Sequence, residues 1–197
     1  MAEPIALPKP ALKGKVSIEA AIAARRSVRS FRKKELSRAQ LGQLLWAAQG
    51  VTARREGLGL RAAPSAGALY PLEVYAATKA GLFRYLPEPH ALEPLASQDP
   101  RAALSEAALG QEAVRRAPAA LVVCAVYSRM TGKYRDRGPR YAQLEAGHAA
   151  QNVLLQAAAL GLGGVSVGAM DDAAVQKALA LPKDHEPLYI IPVGYPD

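Results

Sequence analysis

The chain has 197 residues, half of them hydrophobic, and carries a formal net charge of +8 at neutral pH. That length allows one domain with a sizeable core. No apolar run reaches the ~20 residues that span a bilayer, and Met1-Ala-Glu-Pro-Ile lacks the charged and apolar regions of a signal peptide. A single cysteine, Cys124, excludes an intrachain disulfide and any Cys–Cys metal spacing. These absences point to the cytoplasm, with no membrane partner.

The basic residues fall in separate clusters: Arg25–Lys34, Arg54–Arg61, Arg115–Arg116 and Arg129–Arg140. A basic balance suits nucleic acid or phosphate-bearing small molecules. Aromatics do not interleave with these clusters as on a base-stacking platform. A basic nucleic-acid-binding domain is therefore the alternative, and no nucleic-acid partner is expected.

In chain order, residues 1–16 hold Pro4, Pro8 and Pro10 without periodicity and read as an extended N-terminal arm, free to wrap a neighbour. Residues 17–197 read as one domain. Ser17 caps a helix to about Arg26, with Ile18 and Ile22 on one face. Ser37 and Gln40 form a capping box for a helix that Gly50 stops. Residues 51–62 read as a basic loop.

A strand over 72–78 turns through Lys79-Ala80-Gly81 into a second over 82–86, a hairpin. Residues 91–95 read as an edge strand, because Pro94 cannot donate to a ladder. Short helices are expected from Asp99-Pro100 and over 111–116. The run Pro118–Tyr127 reads as a central strand buried on both faces.

Residues 128–140 read as a polar loop, and a long helix is expected from about Tyr141 to Leu160, closed by Gly161. After it come a small-residue strand over 163–170, a helix capped by Asp171, and a last strand over 188–193. Hairpins and crossovers in this order give an α+β fold.

Five stretches carry candidate chemistry. Ala63–Tyr75 begins as a small-residue turn and becomes a strand; it reads either as a plain connector or as a place to lay a flat ligand against backbone. Arg25-Arg26-Ser27-Val28-Arg29 sits at a helix end. Its guanidiniums and hydroxyl can hold a phosphate, or simply suit a helix C-terminus. Gly161-Leu162-Gly163-Gly164 follows a helix and enters a strand, the reverse of a Rossmann fingerprint.

Lys133-Tyr134 can supply a proton donor or acceptor, or be a solvated pair. Glu145, His148, Gln151 and Asn152 share a helix and read as a buried polar network rather than a metal site. Cys124 reads as an inert core thiol.

Together these pieces resemble the nitroreductase superfamily of FMN-dependent oxidoreductases. Within it the chain looks most like the SagB-type dehydrogenases, relatives of the thiazole/oxazole-forming peptide oxidases. The resemblance runs from about Val16 to Pro196. It rests on RRSVRSF at 25–31, LGQLLWAAQGVT at 41–52 with APSAGALYPLEVY at 63–75, KYRDRGPRYAQLEAGHAAQN at 133–152, and GLGGVSVGAMDD at 161–172 with PLYIIPVGYP at 187–196.

The resemblance implies a nitroreductase-like fold, a central mainly antiparallel sheet flanked by helices in an intertwined homodimer with two flavin sites at its interface. It implies that Arg25, Arg26 and Ser27 hold the FMN phosphate and ribityl chain and that Arg29 approaches the pyrimidine edge. Pro64, Ser65, Ala66, Gly67 and Leu69 match the loop that reaches the flavin from the partner. Ser166, Val167, Gly168 and Ala169 match the strand beside flavin N5. Lys133 and Tyr134 match a catalytic pair of azoline oxidation.

The implied activity is hydride transfer through N5, NAD(P)H reducing a small electrophilic acceptor; the alternative is oxidation of azoline rings in a peptide. A flavin-free nucleic-acid-binding domain is the third reading, and no metal is implied. Three departures stand out. An acidic residue common in the superfamily is absent at Gly168, as is an Asn near Leu69, and the basic tail that grips the phosphate in many members is missing, which throws more of that task onto Arg25 and Arg26.

Overall fold

Three apolar strands, each buried on both faces, form the middle of the molecule. The computed structural model describes residues 3–197, so the first two residues of the expected arm lie outside the described residues. In chain order the elements are β1 (Ile5–Ala6), α1 (Ile18–Ala24), α2 (Arg38–Gln49), β2 (Val51–Arg55), β3 (Leu58–Arg61), β4 (Leu72–Thr78), β5 (Gly81–Leu86), β6 (Ala91–Ala96), α3 (Arg101–Ala107), α4 (Glu112–Arg116), β7 (Ala119–Ala125), α5 (Ser128–Tyr134), α6 (Gly138–Ala159), β8 (Gly163–Gly164), α7 (Asp172–Ala178) and β9 (Glu186–Gly194).

Seven strands pair in the order β1-β6-β5-β4-β7-β9-β8, and each of these pairs is antiparallel. This is the expected α+β architecture.

Strand β7 shows how the sequence organises the core. Side chains alternate across a strand. Leu121 and Val123 therefore join Leu44 and Leu45 of α2 and Ala146 and Val153 of α6. Val122 and Cys124 join Leu104, Val114 and Val175 from α3, α4 and α7 on the other face. Each such aliphatic side chain contributes about 1.5–3 kcal/mol on burial. Burial also pushes the Cys124 thiol far above its ordinary range, which keeps it protonated and unreactive.

The helices that frame the site form for local reasons. Ser37 Oγ accepts from Gln40 N at 3.1 Å and Gln40 Oε1 from Ser37 N at 3.0 Å, closing the capping box on α2. Gly50 ends that helix with φ −65°, not in the left-handed region. Glycine is needed there because a Cβ would stand 2.1 Å from Trp46 Cδ1. Helix α6 takes Pro139 into its first turn. It ends at Gly161 (φ +70°), where Leu162 N reaches Ala157 O at 2.8 Å.

Four expectations need correction. Residues 51–62 are not a loop: β2 and β3 form a hairpin around Glu56 and Gly57, both left-handed at φ +52° and +83°. Residues 128–140 hold α5, a 3₁₀ turn and the start of α6; the short α5 is fixed by Met130, wholly buried beneath it, rather than by a cap. Of residues 163–170 only Gly163 and Gly164 form strand, and Val167 makes a separate bridge to Ile190. Finally, the arm pairs with its own sheet, Ile5 against Leu92 and Ala6 against Ala91, so β6 is not the edge. Pro94 lies beyond those two paired residues and costs no hydrogen bond on that side.

Candidate functional site

The candidate residues gather into two groups. The first lies at the end of α1. Arg25 N donates to Ala21 O at 2.9 Å. The Arg26 guanidinium turns back onto the carbonyls of Ala23 and Arg25 at 2.9 and 2.8 Å, where a helix exposes unpaired acceptors. Ser27 bridges Gly164, and Val28 N donates to Gly164 O at 3.1 Å.

That close pairing explains the glycine run. A Cβ on Gly163 would lie 2.4 Å from Val28 Cγ2, and one on Gly164 2.8 Å from Pro192 O. Arg25 and Arg26 thereby border a cavity of about 240 Å³ with Gly161, Gly163, Gly164 and Ala158. Arg29 is exposed just beyond, and the next residue, Ser30, bonds the terminal Asp197 side chain. Val167 exchanges two backbone bonds with Ile190, at 2.8 and 2.9 Å, which fixes half-buried Ser166 on one side and exposed Gly168 and Ala169 on the other.

The second group is the turn before β4. Ser65 Oγ accepts from Tyr70 N at 2.9 Å. Gly67, Ala68 and Tyr70 are all left-handed, at φ +63°, +53° and +48°. Two non-glycine residues in that region store strain, which surrounding contacts must hold. Arg129 is one such contact, donating to Tyr70 O at 3.1 Å and to Glu73 at 2.5 Å.

Lys133 and Tyr134 are brought onto this loop. A Cβ on Gly67 would meet Tyr134 Oη at 2.8 Å and Lys133 Nζ at 3.0 Å. Tyr134 in turn packs edge-on against Tyr141, ring centres 5.0 Å apart, and Arg137 Nε donates to Tyr141 Oη at 3.1 Å. Pro64 and Gly67 are exposed, with Ser65, Ala66 and Leu69 half-buried.

Beneath the loop the expected polar network on α6 is not made as read. His148 and Gln151 are exposed, and Asn152 reaches Ala62 O at 3.4 Å. Glu145 alone is buried, 2% exposed, with neither carboxylate oxygen hydrogen-bonded. Burial pushes its pKa up to about 7, against the opposite pull of Ser65, Gln49 and Arg61. Arg61 Nη1 donates to Gln49 Oε1 at 3.2 Å. Arg61, Arg129 and Tyr141 are site neighbours that the sequence reading did not single out, since each is joined to the loop only through tertiary contacts.

The two groups stand apart along α6. Glu145 lies under the loop and Ala158 lines the Arg25 cavity. Their separation along the helix is about 20 Å at 1.5 Å per residue. Apolar side chains near them face solvent: Ile18 is 57% exposed, Ile22 56% and Leu144 54%. A groove of about 880 Å³ runs between the N-terminal arm, α1, α2 and α6, lined by Val16, Ile18, Trp46 and Leu155 among others. Among the described residues, no cluster of His, Cys, Asp and Glu could hold a metal ion, and no helix is long and apolar enough to cross a membrane.

This sheet, with an arginine-bordered cavity at one end of α6 and a strained small-residue loop at the other, is the α+β fold of the nitroreductase structures on which it superposes. Residues 22–195 match the nitroreductase family, and the chain belongs to that family of oxidoreductases. It is 40% identical over 185 residues to a protein of Methanocaldococcus jannaschii that carries the nitroreductase name, with 91% of each chain covered.

Among solved structures, one of a Ralstonia eutropha protein named as a nitroreductase superposes with a TM-score of 0.88 at 33% identity, covering 98% of this chain and 90% of that one. The Escherichia coli microcin synthetase McbBCD complex with truncated pro-MccB17 bound gives 0.74 at 27% identity, covering 97% and 77%. The NADPH:FMN oxidoreductase of Vibrio harveyi complexed with NAD+ gives 0.68 at 26% identity, covering 91% and 69%.

Proposed function

We propose that the protein is an FMN-dependent oxidoreductase that takes hydride from NAD(P)H and delivers it to a small electrophilic acceptor, with each flavin held between two copies of the chain. The observation that carries this reading is the ~20 Å separation of the Arg25 group from the 64–69 loop on one α6, with exposed apolar side chains close by. A second copy packed on that face brings the loop of one chain to the arginines of the other. The likeness to a named NADPH:FMN oxidoreductase supports the choice of cofactor.

The residues present fit FMN. Arg25, Arg26 and Ser27 offer charge-assisted donors for its phosphate and ribityl chain. Arg29, exposed beyond the cavity, supplies a positive charge for the pyrimidine edge, where negative charge collects on reduction. Ser166–Ala169 present small residues whose main chain is held by the Val167–Ile190 pair. The loop Pro64–Leu69 closes the other face. Bound FMN supplies an N5 that accepts and releases hydride. A cytoplasmic setting, with its NAD(P)H, belongs to the same proposal.

The test is optical. Protein mixed with FMN and desalted should keep a yellow flavin spectrum. NADPH or NADH should bleach it under anaerobic conditions, and a quinone or nitro-compound should restore it. Colourless protein after desalting would overturn the proposal; steep salt-dependent affinity for DNA or RNA by colourless protein would favour the nucleic-acid reading instead.

One observation favours a second reading, SagB-type azoline oxidation: Lys133 and Tyr134 lie directly on Gly67 of the loop. The likeness to a peptide-bound microcin synthetase complex adds to it. In this reading Lys133 and Tyr134 would take the ring proton, and bound FMN would supply the hydride acceptor. Lys133→Ala and Tyr134→Phe should each lower turnover of an azoline peptide at least ~100-fold and spare quinone reduction. Equal turnover by all three proteins would sink this reading.

A further inference from the structure

We propose that Glu145 is the positioning residue of the 64–69 loop, and that the neutral carboxyl keeps the loop seated while loss of its proton opens it. The loop's task toward a flavin rests on the functional reading above; the seating itself does not.

The geometry is unusual for a carboxyl group. Glu145 stands in the middle of α6 with 2% of its surface exposed, and both oxygens lack hydrogen bonds. Facing it, Gln49 of α2 is 1% exposed, and its Nε2 is also unpartnered. A buried carboxylate needs donors or a close cation. The nearby cation is already engaged, and the two free donors, Gln49 Nε2 and the Ser65 hydroxyl, pull the Glu145 pKa down without closing a hydrogen bond to it. Arg61 donates to Gln49 Oε1 at 3.2 Å and lies 4.8 Å over the Tyr70 ring. Ser65 Oγ accepts from Tyr70 N, so only its hydroxyl proton points elsewhere.

The charged and titratable groups around Glu145 come from every side. Arg61 is on β3. Ser65 and Tyr70 belong to the loop and its end. Glu73 of β4 and Arg129 of α5 act on Arg61. Lys133 and Tyr134 of α5 hold the far side of Gly67. Tyr141 and His148 flank Glu145 on its own helix, and His148 is exposed.

The linkage has a definite sign. Burial raises the closed-state pKa from 4.5 to about 7. A carboxyl raised in this way adds stability that is fully present below the open-state value and lost as pH rises through the closed-state one. Any motion that lifts the loop and hydrates Glu145 therefore becomes easier between pH 4.5 and about 7, and levels off above. Glutamine keeps the shape and the neutral charge, so Glu145→Gln should behave as the protonated form at every pH.

Hydrogen exchange on the full-length, flavin-free chain tests this. Between pH 6 and pH 8 the backbone amides of 65–70 in the native protein should lose about tenfold more protection than the same amides in Glu145→Gln. Amides of β7, in the same samples, should show no such difference. Thermal melts give an independent reading: Glu145→Gln should melt above the native chain at pH 8 and with it at pH 4. Equal protection of 65–70 in the two proteins at both pH values, or a shift spread evenly over β7 and the loop, would overturn the proposal. Because no flavin is present, failure here leaves the FMN reading untouched, and absent FMN binding leaves this result standing.

Discussion

Gly67 is where the loop, the lysine–tyrosine pair and the backbone strain meet. Its φ of +63° is left-handed, and the space a Cβ would take is filled by Tyr134 Oη and Lys133 Nζ. A valine there meets a backbone penalty of roughly 1–2 kcal/mol and displaces both side-chain tips. The residue is exposed, so the core is spared. Gly67→Val should lower the melting temperature by only a few degrees (about 2–4 °C per kcal/mol in a chain of this size). Flavin affinity should fall at least ~10-fold, read by FMN fluorescence titration. Full flavin occupancy in that variant would show that the loop does not touch the cofactor.

The need for positive φ was legible in the sequence, since only glycine sits easily in such a turn. The left-handed Ala68 and Tyr70 were not: their residue types do not mark them, and the turn is held by Ser65 within the loop and by Arg129 from α5.

At the scale of elements, what could be read was what local chemistry decides. Ser37 with Gln40, Asp171 at the start of α7, Gly161 at the end of α6 and the apolar run of β7 all do in the structure what their residue types demand. The β2–β3 hairpin hid because β2 is mostly exposed and ends in two arginines, and β3 is only four residues long with Gly59 inside it. Helix α5 hid because it has neither cap nor period and is held by one buried methionine.

Helix α1 is the informative case. Its Ile18 and Ile22 share one face, as the spacing predicts, and both residues are more than half exposed in the chain. Covering what remains exposed of two such side chains is worth about 1–1.5 kcal/mol each, which favours a second copy sitting there. Ile18→Glu with Ile22→Glu should yield folded monomers by light scattering, with native circular dichroism and no retained FMN. A stable dimer from that variant would place the interface elsewhere.

For the molecule as a whole, the family and the architecture were accessible from sequence because four separated motifs agree on one fold, and the match over residues 22–195 bears that out. Which residues share a site was less accessible. The resemblance implies that Arg25–Arg29 and the Pro64–Leu69 loop serve a flavin from different chains, but not that one long helix separates them within a chain. That separation makes the proposed site a property of two chains.

Mixing two crippled chains tests this most directly. One carries Arg25→Ala and Arg29→Ala, the other Gly67→Val, and each alone should retain little FMN. In a mixed dimer with sites shared between chains, one site receives both lesions and the other receives none. Co-expressed and separated by tag, the mixed dimer should therefore hold one FMN per two chains and regain half the NAD(P)H-dependent activity. A mixed dimer as empty as its parents would mean that each site lies within a single chain, and would contradict the shared site.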